Sequence, residues 1–278
     1  MMLFGCSFLL LSFILFIASS KALLSPLKRT DIRSGQLLLE AFSTPLNFRP
    51  EYQYKNFTKN WGQLLEWQRK LGAGIKSPMQ ELRKQLIRDL RIERKKTKLL
   101  SSTLFQALGI SFMTLSFSFT LISLNLIDLS IGEFLILILW QVIGLYLLRH
   151  SSHFLQEKLF NESDIFRQTL VQLLIFSSAG LPASQILQQL PWSKLRKCKS
   201  TEIVQKINSL ETQFELWKKQ GIELKLWLQE QFEESLFFTQ FQLEKFEESL
   251  GLLSFLTLVL FFLSTFLFMV FQMVVQMI

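Results

Sequence analysis

Four stretches of this chain carry no charged side chain: residues 1–20, 99–127, 134–148 and 249–278. A helix needs about 20 apolar residues to cross the hydrocarbon of a bilayer. The first, second and fourth stretches meet that length outright. Inside lipid every backbone N–H and C=O must be satisfied within the protein, so only helices and closed barrels span it. With 11 Gly and 6 Pro in 278 residues, the chain is poor in the residues that punctuate many-turned barrels. The expectation is an all-α integral membrane protein. A soluble enzyme, a disordered chain and a collagen-like fibre are excluded on the same grounds.

The charged segments between these blocks set the expected topology. Residues 21–100 hold 18 Lys and Arg against 7 acids. Residues 149–249 hold 12 bases against 13 acids, and the connection 128–133 has Asp128 and Glu133 and no base. Lys and Arg are retained on the cytoplasmic side, most strongly next to a span. Eight bases fall within 83–98, directly before the second block, and Arg149, Lys158 and Arg167 follow the third. The expected order is a span at 1–20 and a basic cytoplasmic helical segment at 21–102. A transmembrane hairpin follows at 103–148, with its turn outside, then a cytoplasmic helical bundle at 149–249 and a last span at 250–278. The third span is short and needs Glu133 and Arg149 at the two interfaces. Acidic residues Glu244, Glu247 and Glu248 precede the fourth, so its direction follows from alternation. Residues 1–20 read either as a retained anchor or as a cleaved signal ending near Ala18-Ser19-Ser20. The missing basic leader favours the anchor.

The cytoplasmic segments read as helices. Asn161 or Ser163 can cap a helix reaching Ser178, burying Phe166, Leu170, Leu173, Leu174 and Phe176. Ser177-Ser178-Ala179-Gly180-Leu181-Pro182 then reads as a tight hairpin: Gly180 suits the left-handed position past a helix end, and Pro182 suits the first turn of the next. Leu187 and Leu190 continue that short helix to Pro191. A helix from Ser200 or Thr201 carries Val204, Ile207, Phe214 and Trp217 on one stripe and stops at Gly221. Another, from Ile222 into the last span, carries a seam at Leu228, Phe232, Leu236, Thr239, Leu243, Phe246 and Leu250 that calls for partner helices. In the first segment Pro78 opens a helix whose stripe is Met79, Leu82, Leu86 and Leu90. Trp67-Gln-Arg-Lys and Trp217-Lys-Lys-Gln, 150 residues apart, each lead through a helix into a span, which suggests an internal repeat. The predicted architecture is two cytoplasmic helical bundles, each leading into transmembrane helices.

Ala179-Gly180-Leu181-Pro182 after an apolar helix, with Ile186-Leu187 in the next, resembles the first hairpin of the type II secretion system protein F family. Leu71-Gly72-Ala73-Gly74-Ile75, then Pro78 to Leu82 and the basic run to Lys98, resembles the end of the same domain. The likeness covers about 60–278, and the extra first span is closer to the tight-adherence pilus branch. Ser184-Gln185 and the Pro191-Trp192 break depart from the pattern. The resemblance implies a non-enzymatic platform in a bacterial inner membrane. It implies as partners a secretion or pilus ATPase, a pilin or pseudopilin, and other platform subunits in a homo- or hetero-oligomer. A membrane-anchored helical receptor or regulatory protein is the alternative, and a small transporter or membrane enzyme a third.

Few residues present themselves as sites. The structural hairpin is Gly180, Leu181 and Pro182. Arg83, Arg88, Arg91, Arg94, Lys95 and Lys96 are candidates to contact anionic lipid or an acidic partner, against a reading as topogenic charge on a solvated face. His150, His153 and Glu157 share a helix face, but three ligands of this kind are a thin basis for a metal site. Cys6 and Cys198 form no Cys/His cluster. Cys6 follows Leu3-Phe4-Gly5 loosely as in an acylation box, but with the apolar core on the wrong side. Asn56-Phe57-Thr58 and Asn161-Glu162-Ser163 match a glycosylation pattern that a cytoplasmic location would leave unused. No phosphate loop, nucleophile elbow or HExxH occurs. Neither a catalytic group, a metal, a cofactor nor nucleic-acid binding is expected.

Overall fold

A computed structural model describes residues 29–42, 53–71, 76–220 and 224–277. The expected span at 1–20, the Gly72–Gly74 turn and the stop at Gly221 lie outside these residues. The helices are α1 (Arg29–Ala41), α2 (Phe57–Leu71), α3 (Lys76–Ser123), α4 (Ile131–Ser178), α5 (Ala183–Gln189), α6 (Trp192–Leu195), α7 (Thr201–Gln220) and α8 (Leu224–Thr257). A π-helical stretch, Leu258–Leu263, then leads into α9 (Ser264–Met277). No strand occurs among the described residues. Three helical stretches are long and apolar enough to cross a membrane: Lys76–Ser123, Ile131–Ser178 and Leu224–Gln276.

The helix expected to start at Asn161 or Ser163 does not start there. α4 runs unbroken for 48 residues from Ile131. Between Gly144 and Gly180 no Gly or Pro interrupts it, so nothing frees the backbone from the i→i−4 ladder. Ser163, cast as a cap, is instead buried in mid-helix and donates to Gln242 Oε1 at 2.7 Å.

By chain contacts the protein divides into two units. Among the described residues, the apolar unit comprises 97–155 and 245–277. Leu104, Ala107, Leu108, Leu145, Leu148 and Phe262 form one of its cores. Leu121, Ile127, Leu137 and Met269 form a second. Its outward residues are apolar as well, including Met113, Ile136, Leu139 and Phe255, which suits hydrocarbon surroundings. The turn between α3 and α4 is built from two caps. Asn125 has φ +55°, Leu126 N–H donates to Leu121 O and Asn125 N–H to Ile122 O, a left-handed helix end. Ser130 and Glu133 exchange bonds as a capping box, with Ser130 N–H to Glu133 Oε2 at 2.8 Å and Glu133 N–H to Ser130 Oγ at 3.2 Å. Gln276 grips the same turn by accepting from Asp128 N–H at 2.8 Å.

In the π-helical stretch a wider turn sets neighbouring residues at a smaller angle, and adjacent Phe261 and Phe262 are both buried. Phe261 lies against Gly144, where a Cβ would stand 2.6 Å from its Cγ. The last span is therefore wound differently in its middle, although Gly251, the interruption visible in the sequence, sits in regular α-helix.

The second unit holds the described residues of 29–96 and 156–244. One hydrophobic core takes Leu38, Trp61, Leu82 and Leu86 from the first segment and Phe166, Leu170, Phe214 and Leu228 from the second. The two segments thus share a core where the sequence suggests two bundles. The first supplies only α1, α2 and part of α3, too few stripes to close around themselves. Rings make some of the joints: Phe42 stacks on Trp61 with centroids 4.1 Å apart, and Trp67 meets Phe176 edge-on at 4.8 Å.

Candidate functional site

The most unusual chemistry lies inside the second unit. It starts at the turn before α2. Tyr54 N–H donates to Thr58 Oγ1 at 2.9 Å, and Lys55 takes a left-handed φ of +43°, a conformation that costs a non-glycine residue energy. That turn points both side chains at α3. Tyr54 Oη donates to Asp89 Oδ2 at 2.6 Å. Lys55 Nζ lies 2.7 Å from the same oxygen and 3.0 Å from Glu93 Oε1.

From there the charges close into a circle. Glu93 Oε1 is 3.2 Å from Lys96 Nζ, which is 2.8 Å from Asp164 Oδ2. Asp164 Oδ1 is 2.8 Å from Arg167 Nη2, which is 2.7 Å from Asp89 Oδ1. Six charges alternate in sign, each touching two of the opposite sign: Asp89, Lys55, Glu93, Lys96, Asp164 and Arg167. Their net charge is zero. Lys96 also lies 4.0 Å from the Phe160 ring centroid, a cation–π contact. Asp89, Lys96 and Arg167 are buried.

Helix geometry explains the positions. Residues 89, 93 and 96 are spaced i, i+4, i+7, and 164 and 167 are i, i+3, so each set shares one face. The α3 seam reads Leu82, Leu86, Asp89, Glu93, Lys96, Leu100. Its middle is charged and its ends apolar.

The ring shifts the titration of Asp89, Lys55 and Arg167. Burial opposes charge on Asp89, but Lys55 and Arg167 outweigh it and hold the carboxyl down to about 2. Burial likewise opposes the Lys55 ammonium, while Asp89, Glu93 and Asp164 raise its pKa. The same balance raises Arg167, with Asp164 and Asp89 as the main supports. Tyr54 is pushed up by burial and then by the Asp89 charge. Every ring carboxylate is bridged by two cations. What the ring does is fix the register of the 54–55 turn, α3 and α4.

The predicted site residues fall into three groups. Lys96, taken as a lipid or partner contact, is instead buried within the ring, because it lies on the α3 seam. Arg88 is half-turned inward: it pairs with Glu233 at 2.8 Å and lies 5.7 Å from the Phe232 ring centroid. Arg83, Arg91, Arg94 and Lys95 are exposed. The ring itself is absent from the sequence reading, although the continuation of the Leu82–Leu86 seam through Asp89 and Glu93 signals it.

The hairpin has the expected geometry. Gly180 has φ +73°. Leu181 N–H donates to Phe176 O at 3.3 Å and Gly180 N–H to Ser177 O at 3.1 Å, the two bonds of a Schellman motif. Leu181 is buried behind it, and Pro182 leads α5. Pro191, expected only to end α5, also opens α6: Lys194 and Leu195 N–H both donate to its carbonyl. Glu162 of α4 accepts from Lys199 N–H at 3.0 Å and Ser200 N–H at 2.8 Å, placing negative charge at the start of α7. His150, His153 and Glu157 are exposed, and among the described residues no group of His, Cys, Asp or Glu is placed to hold a metal.

No protein-family model, curated protein or solved structure matches the chain.

Proposed function

We propose that this chain is a non-enzymatic platform subunit of a bacterial inner membrane. It would serve type II secretion or the assembly of a type IV or tight-adherence pilus, coupling a cytoplasmic ATPase to the movement of pilin or pseudopilin. The observation that supports the reading most is helix continuity. α3 and α4 each run 48 residues as continuous helix, and each contributes a membrane-length apolar stretch and a stretch whose side chains enter the charged bundle. α8 joins the bundle to the last apolar stretch in the same way. A platform has to receive force on a cytoplasmic surface and present spans to a partner in the bilayer. Rods with their register fixed by a closed ring of charges suit that work. The hairpin at Gly180 supports the same reading by its likeness to the secretion protein F pattern. In this reading the two cytoplasmic segments receive the ATPase, and the spans, with other platform subunits, meet the pilin.

The test is a Gly-Ser pair inserted after Glu248, between the bundle part of α8 and the last span. Pilus or secretion output should fall while membrane insertion and ATPase capture persist. Normal output would remove the lever. Capture of a kinase or transcriptional regulator in place of a secretion ATPase would favour the receptor alternative.

A further inference from the structure

We infer that the second unit binds one structural water, which accepts from Arg167 Nη1, donates to Gln85 Oε1 and so ties the ring of charges to the preceding turn of α3. The inference concerns the interior of this unit alone and stands whatever the chain does in a membrane.

Arg167 is the ring member with a donor to spare. Its Nη2 serves both Asp89 and Asp164, while its Nη1 is buried with no partner among the described residues. Gln85, one turn before Asp89 on the same face of α3, has the opposite need. Its Nε2 donates to Glu81 Oε1, and its Oε1 is buried with no partner among the described residues. Arg167 is 3% and Gln85 2% exposed, so bulk solvent serves neither. A buried polar group left unpaired is costly, and here a donor and an acceptor lack partners together.

Both side chains line one cavity of about 10 Å³, the room that a single water needs. Its apolar walls include Phe57, Val171 and Phe232, so the polar groups decide the occupant. A guanidinium can only donate and an amide oxygen can only accept. Water complements both with one atom. A chloride ion would suit Arg167 but would meet Gln85 Oε1 and the Asp89 carboxylate, which also lines the cavity. A metal cation would suit those oxygens but would stand against Arg167 and Arg88, another lining residue. Turning the Gln85 amide over does not remove the need. It would set the amide oxygen against Glu81 and the NH2 group against Arg167, acceptor to acceptor and donor to donor. The remaining polar neighbours are engaged elsewhere: Arg88 pairs with Glu233 at 2.8 Å, and Gln168 Oε1 accepts from Asn56 Nδ2 at 3.0 Å.

Crystals of the full chain grown from a lipid phase in sodium bromide give the direct test. The expected result is a single round peak within about 2.6–3.2 Å of both Arg167 Nη1 and Gln85 Oε1, with no anomalous bromide signal. A direct bond between those two atoms, the absence of a peak, or a bromide signal, which would make this an anion site, would each overturn the inference. Oxygen-17 relaxation dispersion on the full chain in detergent counts waters held far longer than surface hydration, and so tests the same site in solution. Val171→Ile adds a methyl group at the cavity wall and should remove one long-lived water. Val171→Ala widens the same wall and should keep it. General loosening of the fold would affect both variants alike, so the difference between them reports the site. A count that falls in both variants, or in neither, would also overturn the inference.

Discussion

Asp89 is touched by Tyr54, Lys55 and Arg167 at 2.6–2.7 Å, and its removal leaves the buried Arg167 and the more exposed Lys55 each short of a counter-charge. Breaking one partner of a buried ion network is costly because the others remain desolvated. Asp89→Asn should therefore destabilise the full chain by on the order of 3–5 kcal/mol, read by denaturant unfolding in detergent through tryptophan fluorescence. Glu233→Gln, which breaks only the more exposed pair with Arg88, should cost less than about 1 kcal/mol. Equal losses would mean that the ring carries no special weight. The pKa directions add a pH window. Asp89 is held at about 2 against an ordinary 3.8, so its contribution is complete above about pH 4 and is lost as pH falls toward 2. Lys55 and Tyr54 are raised from 10.5 and 10.0, so theirs is complete below about pH 10 and lost above it. Unfolding midpoints should be flat between these limits and fall on both sides, and Asp89→Asn should flatten the acid limb. An unchanged acid limb in that variant would assign the loss to other carboxylates.

At the scale of elements, what was legible in the sequence depended on local signals. The hairpin was legible because Gly180 and Pro182 act through their own backbone, and the stripe at Leu82, Leu86 and Leu90 because its period is local. The continuity of α4 through Asn161 was less so, since Asn and Ser favour caps only where the chain is free to turn. The ring was hidden for a different reason: its α4 partners, Asp164 and Arg167, lie 68 and 78 residues from Lys96 and Asp89 respectively, and no local pattern pairs distant helices. Equally non-local is the approach of Phe261, in the π-helical stretch, to Gly144, a contact between two apolar helices. The hairpin gives the cleanest element-level test. Gly180→Val puts a β-branched residue at φ +73°, which costs on the order of 1–2 kcal/mol. Nothing lies within 4 Å of a Cβ built there, so backbone strain alone is measured. A lower melting temperature is expected, with Gly180→Asn, which tolerates that conformation better, falling between Val and wild type. Equal melting for Val and Gly would exclude the left-handed turn.

For the whole molecule, the structure changes how the charge-based topology is best tested. The eight bases at 83–98 predicted a cytoplasmic flank, yet Lys96 is neutralised in the ring and Arg88 is engaged with Glu233. Positive-inside retention acts while the chain inserts, before any ring can form, so both residues still count toward orientation even though the folded protein conceals them. Probe sites must be chosen from the folded surface. Cys198 is a poor reporter, being buried, with its thiol pushed up by burial and by Glu162; a failure to label it would carry no topological meaning. Lys197 and Lys95 are exposed, and so is Asp128 in the short turn. In a chain without Cys6 and Cys198, single cysteines at 95, 128 and 197 should separate under a membrane-impermeant maleimide applied to intact cells. Position 128 should react at once, and 95 and 197 only after the membrane is permeabilised. Reaction at 95 or 197 in intact cells would reverse the bundle to the outside. It would also remove the cytoplasmic ATPase from any account of what this chain does, because the surface meant to receive it would face the wrong compartment.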